Sequence, residues 1–157
     1  MNKNLKALLI ASTALATSIH TTASAGADSG FYIGGGVGEA DIGETDTAYK
    51  AFGGFNFGVI PLIDLAVEAS YVDMGTAADV SAINAFGLGG LSFGPFGIFV
   101  KAGVAEIDTK LGSSETEAAY GAGARFQFGS LAVRAEYEEY DVPGDLSMIS
   151  VSGVWTF

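Results

Sequence analysis

The chain has 157 residues, which is enough for one domain. It contains no Cys, which excludes a disulfide framework and a cysteine-ligated metal site. Its net charge of −11 argues against nucleic acid as a partner, because phosphate binding needs a basic surface.

The beginning of the chain is predicted to be a secretory signal peptide. Lys3 and Lys6 supply a positive start, residues 7–16 form a short apolar stretch, and residues 23–25 (Ala-Ser-Ala) fit a signal-peptidase cleavage site. The apolar stretch is shorter than the roughly 20 residues that a helix needs to cross a bilayer. The chain is therefore divided into a cleaved signal peptide, 1–25, and a mature domain, 26–157. Cleavage removes two Lys and no acid, so the net charge moves from −11 to −13.

The mature domain alternates residue types with a period of two, which indicates β-strands rather than helices. The seventh segment is the clearest: one face carries Leu131, Val133, Ala135 and Tyr137, and the other carries Ala132, Arg134, Glu136 and Glu138. The first segment is rich in glycine and the fourth is apolar on both faces. Both are predicted to be strands from their spacing and from the need for an even number of strands. The eight predicted strands are residues 31–38, 48–57, 64–73, 81–93, 96–106, 117–128, 131–140 and 147–157.

The links between these strands alternate in length. Gly94-Pro95 and Gly129-Ser130 are predicted to be tight turns, and residues 58–63 form a slightly longer one. The other four links are longer and acidic, at residues 39–47, 74–80, 107–116 and 141–146. Short turns at one rim and long loops at the other are typical of an outer-membrane barrel, whose short turns lie in the periplasm.

The polarity of the two faces favours a membrane barrel over a soluble one. A soluble, lipocalin-like barrel is apolar inside and charged outside. Here one face is uniformly apolar and often large, while the other mixes Gly, Ala and Ser with a few charges. Eight strands leave an interior only just wide enough for side chains, which suits the second face, whereas the first suits lipid.

The aromatic residues of the apolar face are sorted by height, as expected for girdles at two membrane interfaces. The set near the short-turn rim is Phe57, Phe93, Phe96, Phe128, Trp155 and Phe157. The set near the long-loop rim is Tyr49, Tyr71, Tyr120 and Tyr137.

Two segments carry a resemblance to a known family. Residues 120–142 (YGAGARFQFGSLAVRAEYEEYDV) are similar to the penultimate hairpin of porin-family and OmpA-like barrels, and the last strand, with Trp155 and Phe157, resembles their C-terminal assembly signal. The mature domain as a whole resembles the small eight-stranded outer-membrane barrels typified by the OmpA transmembrane domain and OmpX.

The resemblance implies an all-β fold, an eight-stranded antiparallel up-and-down transmembrane β-barrel in the outer membrane of a Gram-negative bacterium. It further implies a monomer in contact with outer-membrane lipid and lipopolysaccharide, inserted by the barrel-assembly machinery. It implies no cofactor.

The inward face collects most of the basic residues of the mature domain, namely Lys50, Lys101, Arg125 and Arg134. If Gly129-Ser130 is a two-residue turn, Arg125 and Arg134 face each other across the ladder and need counter-charges. Buried ions persist only when they are paired and hydrogen-bonded. We therefore predict an ion-pair network that plugs the lumen. Glu138 is expected nearer the rim and Lys110 in a loop, so neither is included in it. The network consists of Glu68, Lys101, Arg125, Arg134 and Glu136.

The long links gather acids: Glu39, Asp41, Glu44 and Asp46 in the first, Asp73 and Asp79 in the second, Asp108, Glu115 and Glu117 in the third, and Glu138, Glu139, Asp141 and Asp145 in the fourth. These acids predict either binding of divalent cations or of an extracellular partner, or simply a solvated rim. No EF-hand-like ligand spacing is present.

Enzymatic activity is not expected. Eight-stranded barrels that modify lipid A need a His with a Ser, and the only His, His20, lies in the signal peptide. No catalytic, cofactor-binding or metal-binding residue is predicted. Three functions stay open: a structural or surface-interaction barrel, a narrow porin-like channel for small solutes gated by the interior salt bridges, and a soluble secreted barrel that binds a small apolar ligand.

Overall fold

The computed structural model describes residues 29–41, 45–75, 80–109, 114–142 and 146–157. The predicted signal peptide lies outside the described residues. Eight strands make up almost all of the described chain: β1 (Gly30–Asp41), β2 (Thr45–Ile60), β3 (Ile63–Asp73), β4 (Val80–Phe93), β5 (Phe96–Thr109), β6 (Ser114–Phe128), β7 (Leu131–Tyr140) and β8 (Leu146–Thr156). In this part of the chain, no helix is long and apolar enough to cross a membrane.

The strands form a closed, antiparallel, up-and-down barrel. Each strand pairs with its neighbours in the sequence, and β1 pairs with β8 to close the ring. Closure satisfies the backbone hydrogen bonds of both edge strands, which a sheet in hydrocarbon requires. The predicted strands are all present, including the glycine-rich first and the apolar fourth.

The barrel has an exposed outer face and a buried inner face that alternate along every strand. In β3, for example, Leu65, Val67 and Tyr71 are exposed whereas Glu68 and Val72 are buried. Exposed large apolar side chains surround the barrel, since each strand contributes at least two of them. The exposed apolar side chains therefore form a band around the outside of the barrel, while the described Lys and Arg side chains point inward, the reverse of a soluble barrel.

Three tight turns connect the strands at one rim. Gly94 and Gly129 have positive φ angles of 61° and 60°, as the predicted two-residue turns require. The third link is shorter than residues 58–63. β2 continues to Ile60 past an irregularity between Gly58 and Ile60, and only Pro61 and Leu62 form the turn. Leu62 has a φ of 79°, which is uncommon for a non-glycine residue.

The strands also extend further than predicted toward the long-loop rim. β1 runs on to Asp41, β2 begins at Thr45, β5 runs on to Thr109 and β6 begins at Ser114. The outward acids of these extensions were predicted to lie in loops because their polarity indicates water. Inward neighbours such as Ala40 and Ile107 are apolar and buried, so the ladder continues beyond the apolar band of the outer face.

Inward glycines make room for the long side chains of the lumen. A Cβ at Gly34 would overlap the ring of Phe52, and a Cβ at Gly123 would lie 2.5 Å from the ring of Phe99. A Cβ on the outward Gly153 would meet nothing within 4 Å. The inward glycines of β1, Gly34, Gly36 and Gly38, therefore have a steric reason, because a barrel of eight strands has no spare interior width.

Candidate functional site

Six charged side chains meet in the middle of the lumen, and we call them the charge cluster. They are Lys50 from β2, Glu68 from β3, Lys101 from β5, and Arg134, Glu136 and Glu138 from β7. Alternation places the three β7 residues on one face, and the other strands deliver one inward residue each at the same height. Three cations balance three carboxylates, so the cluster is neutral.

Glu136 is the centre of the charge cluster because it contacts all three cations. Its carboxylate lies 3.0 Å from Lys50 Nζ and 2.9 Å from Lys101 Nζ, and it also accepts a hydrogen bond from Arg134. Glu138 bridges the same two lysines, at 3.0 Å from Lys50 Nζ and 2.6 Å from Lys101 Nζ. Lys50 is thereby shared between two carboxylates, and Lys101 contacts a third, with Glu68 Oε1 at 3.8 Å.

Arg134 links the cluster to β3 and to the aromatic side chains of the lumen. Its Nη1 lies 2.7 Å from Glu68 Oε2, which also accepts a hydrogen bond of 2.8 Å from the hydroxyl of Tyr32. The guanidinium lies between the rings of Phe52 and Phe99, 4.6 Å from each ring centroid. Such cation–π contacts strengthen when the cation is removed from water.

Burial decides what this arrangement can do chemically. All six side chains are nearly inaccessible, with Arg134 the most exposed at 5% and Glu138 at 0%. A buried ion that loses its partner destabilises the fold strongly, whereas the intact set holds four strands in a fixed relation. The charge cluster therefore ties these four strands together across the lumen.

Arg125 was predicted to belong to the central network, but in the structure it is paired outside the charge cluster. It faces Arg134 across the β6–β7 ladder as expected, but its Nη2 lies 2.6 Å from Asp64 and donates to Ser92 Oγ at 2.8 Å. Asp64 lies at the same low height, next to the β2–β3 turn, and is closer than the acids of the cluster. The like charges of the two arginines are thus neutralised by separate carboxylates.

Lys50 and Glu138 are cluster members that the predicted network left out. The alternation had placed Lys50 on the inward face, but no partner had been assigned to it. Glu138 was expected nearer the rim, yet it is fully buried because β8 and the loop-side part of β7 continue above it. The signal that identifies Glu138 is its parity with Arg134 and Glu136.

An apolar layer fills the lumen above the charge cluster, on the long-loop side. We call it the apolar plug. Its large members are Val72, Met74, Ile107, Tyr140, Leu146 and Met148, all at most 7% exposed. Alanines such as Ala105 and Ala119 complete it. This layer was not predicted. Met74, Ile107 and Leu146 had been assigned to loops, and the inward positions of the other members within the predicted strands had not been singled out.

The short-turn end of the lumen is more open. A cavity of about 40 Å³ lies there, lined among others by Asn56, Asp64, Arg125, Gln127 and Arg134. We call Asn56, Asp64, Ser92, Arg125 and Gln127 the vestibule. The side chains of Arg125 and Asp64 are 21% and 23% exposed, in contrast to the sealed cluster above them.

The outer surface carries the predicted aromatic residues, all of them exposed. They are Phe57, Phe93, Phe96, Phe128, Trp155 and Phe157 near the short turns, and Tyr49, Tyr71, Tyr120 and Tyr137 on the long-loop side. Phe31, Phe55 and Phe126 join the first set through edge-to-face contacts, such as the 4.8 Å between the ring centroids of Phe31 and Phe55. Their role as membrane girdles stays a prediction.

The outward surface on the long-loop side of the tyrosines is acidic. Exposed carboxylates occur at Glu39, Asp41, Asp73, Glu106, Asp108, Glu139 and Asp141. In the described ranges every Lys and Arg faces the lumen, so no basic side chain lies on this surface; Lys110, Glu44, Asp79 and Asp145 lie outside those ranges. Among the described residues no three potential metal ligands are grouped.

The comparisons with known proteins identify the fold. No family model matches the chain, and no curated protein matches its sequence. Ail, the attachment invasion locus protein of Yersinia pestis, is similar in structure with a TM-score of 0.59 at 12% identity, over 84% of this chain and 99% of Ail. The N-terminal β-barrel domain of Pseudomonas aeruginosa OprF gives 0.58 at 14% identity, over 83% and 100%. A de novo designed transmembrane β-barrel gives 0.56 at 18% identity, over 87% and 100%.

The predicted fold is therefore confirmed. The chain is an eight-stranded, antiparallel, up-and-down barrel with the architecture of transmembrane β-barrels. The resemblance to small outer-membrane barrels holds at the level of the fold.

Proposed function

We propose that the chain is an integral protein of the bacterial outer membrane that serves as a structural and surface-interaction barrel, with a lumen that the charge cluster plugs. The observation that carries the proposal is the change along the outer face. It is apolar from the short turns up to the tyrosines and acidic beyond them. A barrel in water throughout has no reason to change its outer face at one height, whereas a membrane interface imposes such a change.

The closed interior supports a structural role over transport. The charge cluster crosses the lumen from β2 to β7 through contacts of 2.6–3.0 Å, and the apolar plug lies above it. Conduction by the porin-like alternative requires both layers to move. The soluble alternative, with an apolar ligand inside, is disfavoured because the cavity has a volume of only about 40 Å³ and its lining includes Asp64, Arg125 and Arg134.

The surface role would use the acidic extension of the barrel. Ail has been crystallised in complex with sucrose octasulfate, a heparin analogue. A polyanion of that kind would be repelled here, because the outward carboxylates are accompanied by no described basic residue. The partner class that fits by charge is a cationic protein segment, reached on the long-loop side of the membrane.

The membrane placement is tested by fractionation and by heat-modifiable migration. Expressed in a Gram-negative host, the mature chain is expected in the outer-membrane fraction, and the unboiled sample is expected to migrate differently from the boiled one in SDS. The matched control is the Gly123→Leu variant, which crowds Phe99 inside the lumen and should reduce the folded band. Recovery as a monodisperse soluble protein without detergent would contradict the proposal.

The charge preference is tested by binding of polylysine to the detergent-folded barrel, with polyglutamate as the matched control ligand. Polylysine is expected to bind at low salt and to dissociate as the Debye length falls from about 10 Å at 0.1 M to about 3 Å at 1 M salt. Removing charge with Glu39→Gln, Asp108→Asn and Glu139→Gln together should weaken binding. Equal binding of the two polymers would overturn the proposed partner class.

A further inference from the structure

The inward side chains change character along the barrel axis in a fixed order. Starting from its short turn, β3 presents Asp64, then Glu68 and Ser70, and finally Val72, with Met74 just beyond the end of the strand. β7 runs in the same sense from Arg134 through two glutamates to Tyr140. The lumen is therefore partly open and lined by both polar and apolar side chains at one end, charged in the middle and apolar at the other end.

The boundary between the vestibule and the charge cluster is aromatic. Arg134 lines the cavity of the vestibule and is held between Phe52 and Phe99. Behind it, Lys101 lies 4.5 Å from the ring of Phe86, which itself packs into the apolar plug. Water or an ion moving inward from the short-turn end thus meets the layer formed by Arg134 and the two rings.

The apolar plug closes the other end without any contribution from charge. Val72 and Met74 are completely buried, and Met148 and Tyr140 are 1% exposed. A hydrated ion or a polar solute cannot enter such a layer without losing hydrogen bonds, because among the named members of the layer only the hydroxyl of Tyr140 can replace one. Breaking the ion pairs below would leave this barrier in place.

We propose that the lumen is a blind vestibule, which water and small ions enter from the short-turn end only as far as Arg134, while the apolar plug seals the long-loop end independently of the charge cluster. The identification of the open end with the periplasm rests on the proposed function; the difference in access between the two ends does not. A channel function would then require the apolar plug to move as well, since opening the salt bridges alone would not open this lumen.

Single-cysteine reactivity tests the proposal, because the chain contains no Cys. Gln127→Cys places a thiol in the vestibule. Ser150→Cys places a thiol of nearly the same size as the original hydroxyl opposite Glu136 in the β7–β8 ladder, two residues from Met148 of the apolar plug, where Ser150 is 1% exposed. Thr47→Cys, exposed on the outer surface, is the control for full access. A small charged methanethiosulfonate reagent is applied to the folded protein in detergent, and urea-unfolded samples give the intrinsic rates.

The thiol at 127 is expected to react within about tenfold of the thiol at 47, and the thiol at 150 at least about 100-fold more slowly, because a sealed position reacts only through local opening. Adding Met74→Gly and Met148→Gly should speed reaction at 150, whereas adding Glu136→Gln should have a much smaller effect.

Fast reaction at 150 in the otherwise unchanged barrel, or opening by Glu136→Gln alone, would overturn the blind vestibule. Heat-modifiable migration of each sample shows that it is folded. If the barrel proved not to reside in the outer membrane, the proposed function would fail. The ratio of the reaction rates at 127 and 150 would still show whether the vestibule is blind.

Discussion

Glu136→Gln is expected to lower the free energy of unfolding by about 3–5 kcal/mol, the usual cost of removing one partner from a buried ion set. Glu136 contacts Lys50, Lys101 and Arg134, and all of these side chains are buried. The variant keeps the shape of the side chain but leaves one uncompensated positive charge in the lumen. Urea unfolding in detergent or lipid vesicles, followed by the fluorescence of the single Trp155 and by the folded band on gels, measures the loss.

The matched control for this variant is Glu139→Gln. Glu139 is the neighbour of Glu138 in β7, but it points outward and is exposed. Its substitution is expected to change the unfolding free energy by less than about 0.5 kcal/mol, as surface substitutions do. Equal effects of the two variants would show that the charge cluster contributes nothing specific to stability.

A second variant separates lost charge balance from lost packing. Lys50→Met removes one of the cations that Glu136 contacts. Combined with Glu136→Gln, it restores a neutral cluster, so the double variant is expected to be more stable than the sum of the two single changes predicts. Additive effects would contradict electrostatic coupling between the two residues.

The faces of the strands were predictable from the sequence, but the heights of the side chains were not. A period of two assigned Lys101, Arg134 and Glu136 to the inner face without any structure. The choice between Asp64 and the cluster acids as the partner of Arg125 depends on the stagger of neighbouring strands. That stagger is a property of the closed barrel, and no single segment records it.

The ends of the strands were missed for a related reason. Polar residues such as Glu39 and Asp41 were taken to mark the start of a loop. In the structure the strand continues through them, and on the proposed membrane placement they mark the height at which the outside of the barrel becomes aqueous. Above this level the two faces have the polarity of a soluble barrel, with acids outside and the apolar plug inside. A single strand therefore has the polarity of a membrane barrel over one part of its length and that of a soluble barrel over the rest.

This change in the surroundings of the outer face predicts different stability costs for an Arg substitution at two heights along the barrel. Val100 is outward and 63% exposed, midway along β5 between the short turn and the acidic extension. If hydrocarbon surrounds it, Val100→Arg should cost about 2–4 kcal/mol, the penalty for Arg near the bilayer midplane. The measurement is unfolding in lipid vesicles, with the folded fraction read on gels.

Thr47→Arg is the control, since Thr47 is outward on the acidic side of Tyr49 and lies opposite Glu39 in the β1–β2 register. Its cost should stay below about 1 kcal/mol, because the penalty vanishes toward the interface. In a soluble barrel both positions would face water, and both substitutions would be close to neutral. If Val100→Arg left the free energy of unfolding unchanged, the apolar band would not be surrounded by lipid. The charge cluster would then not lie inside a membrane.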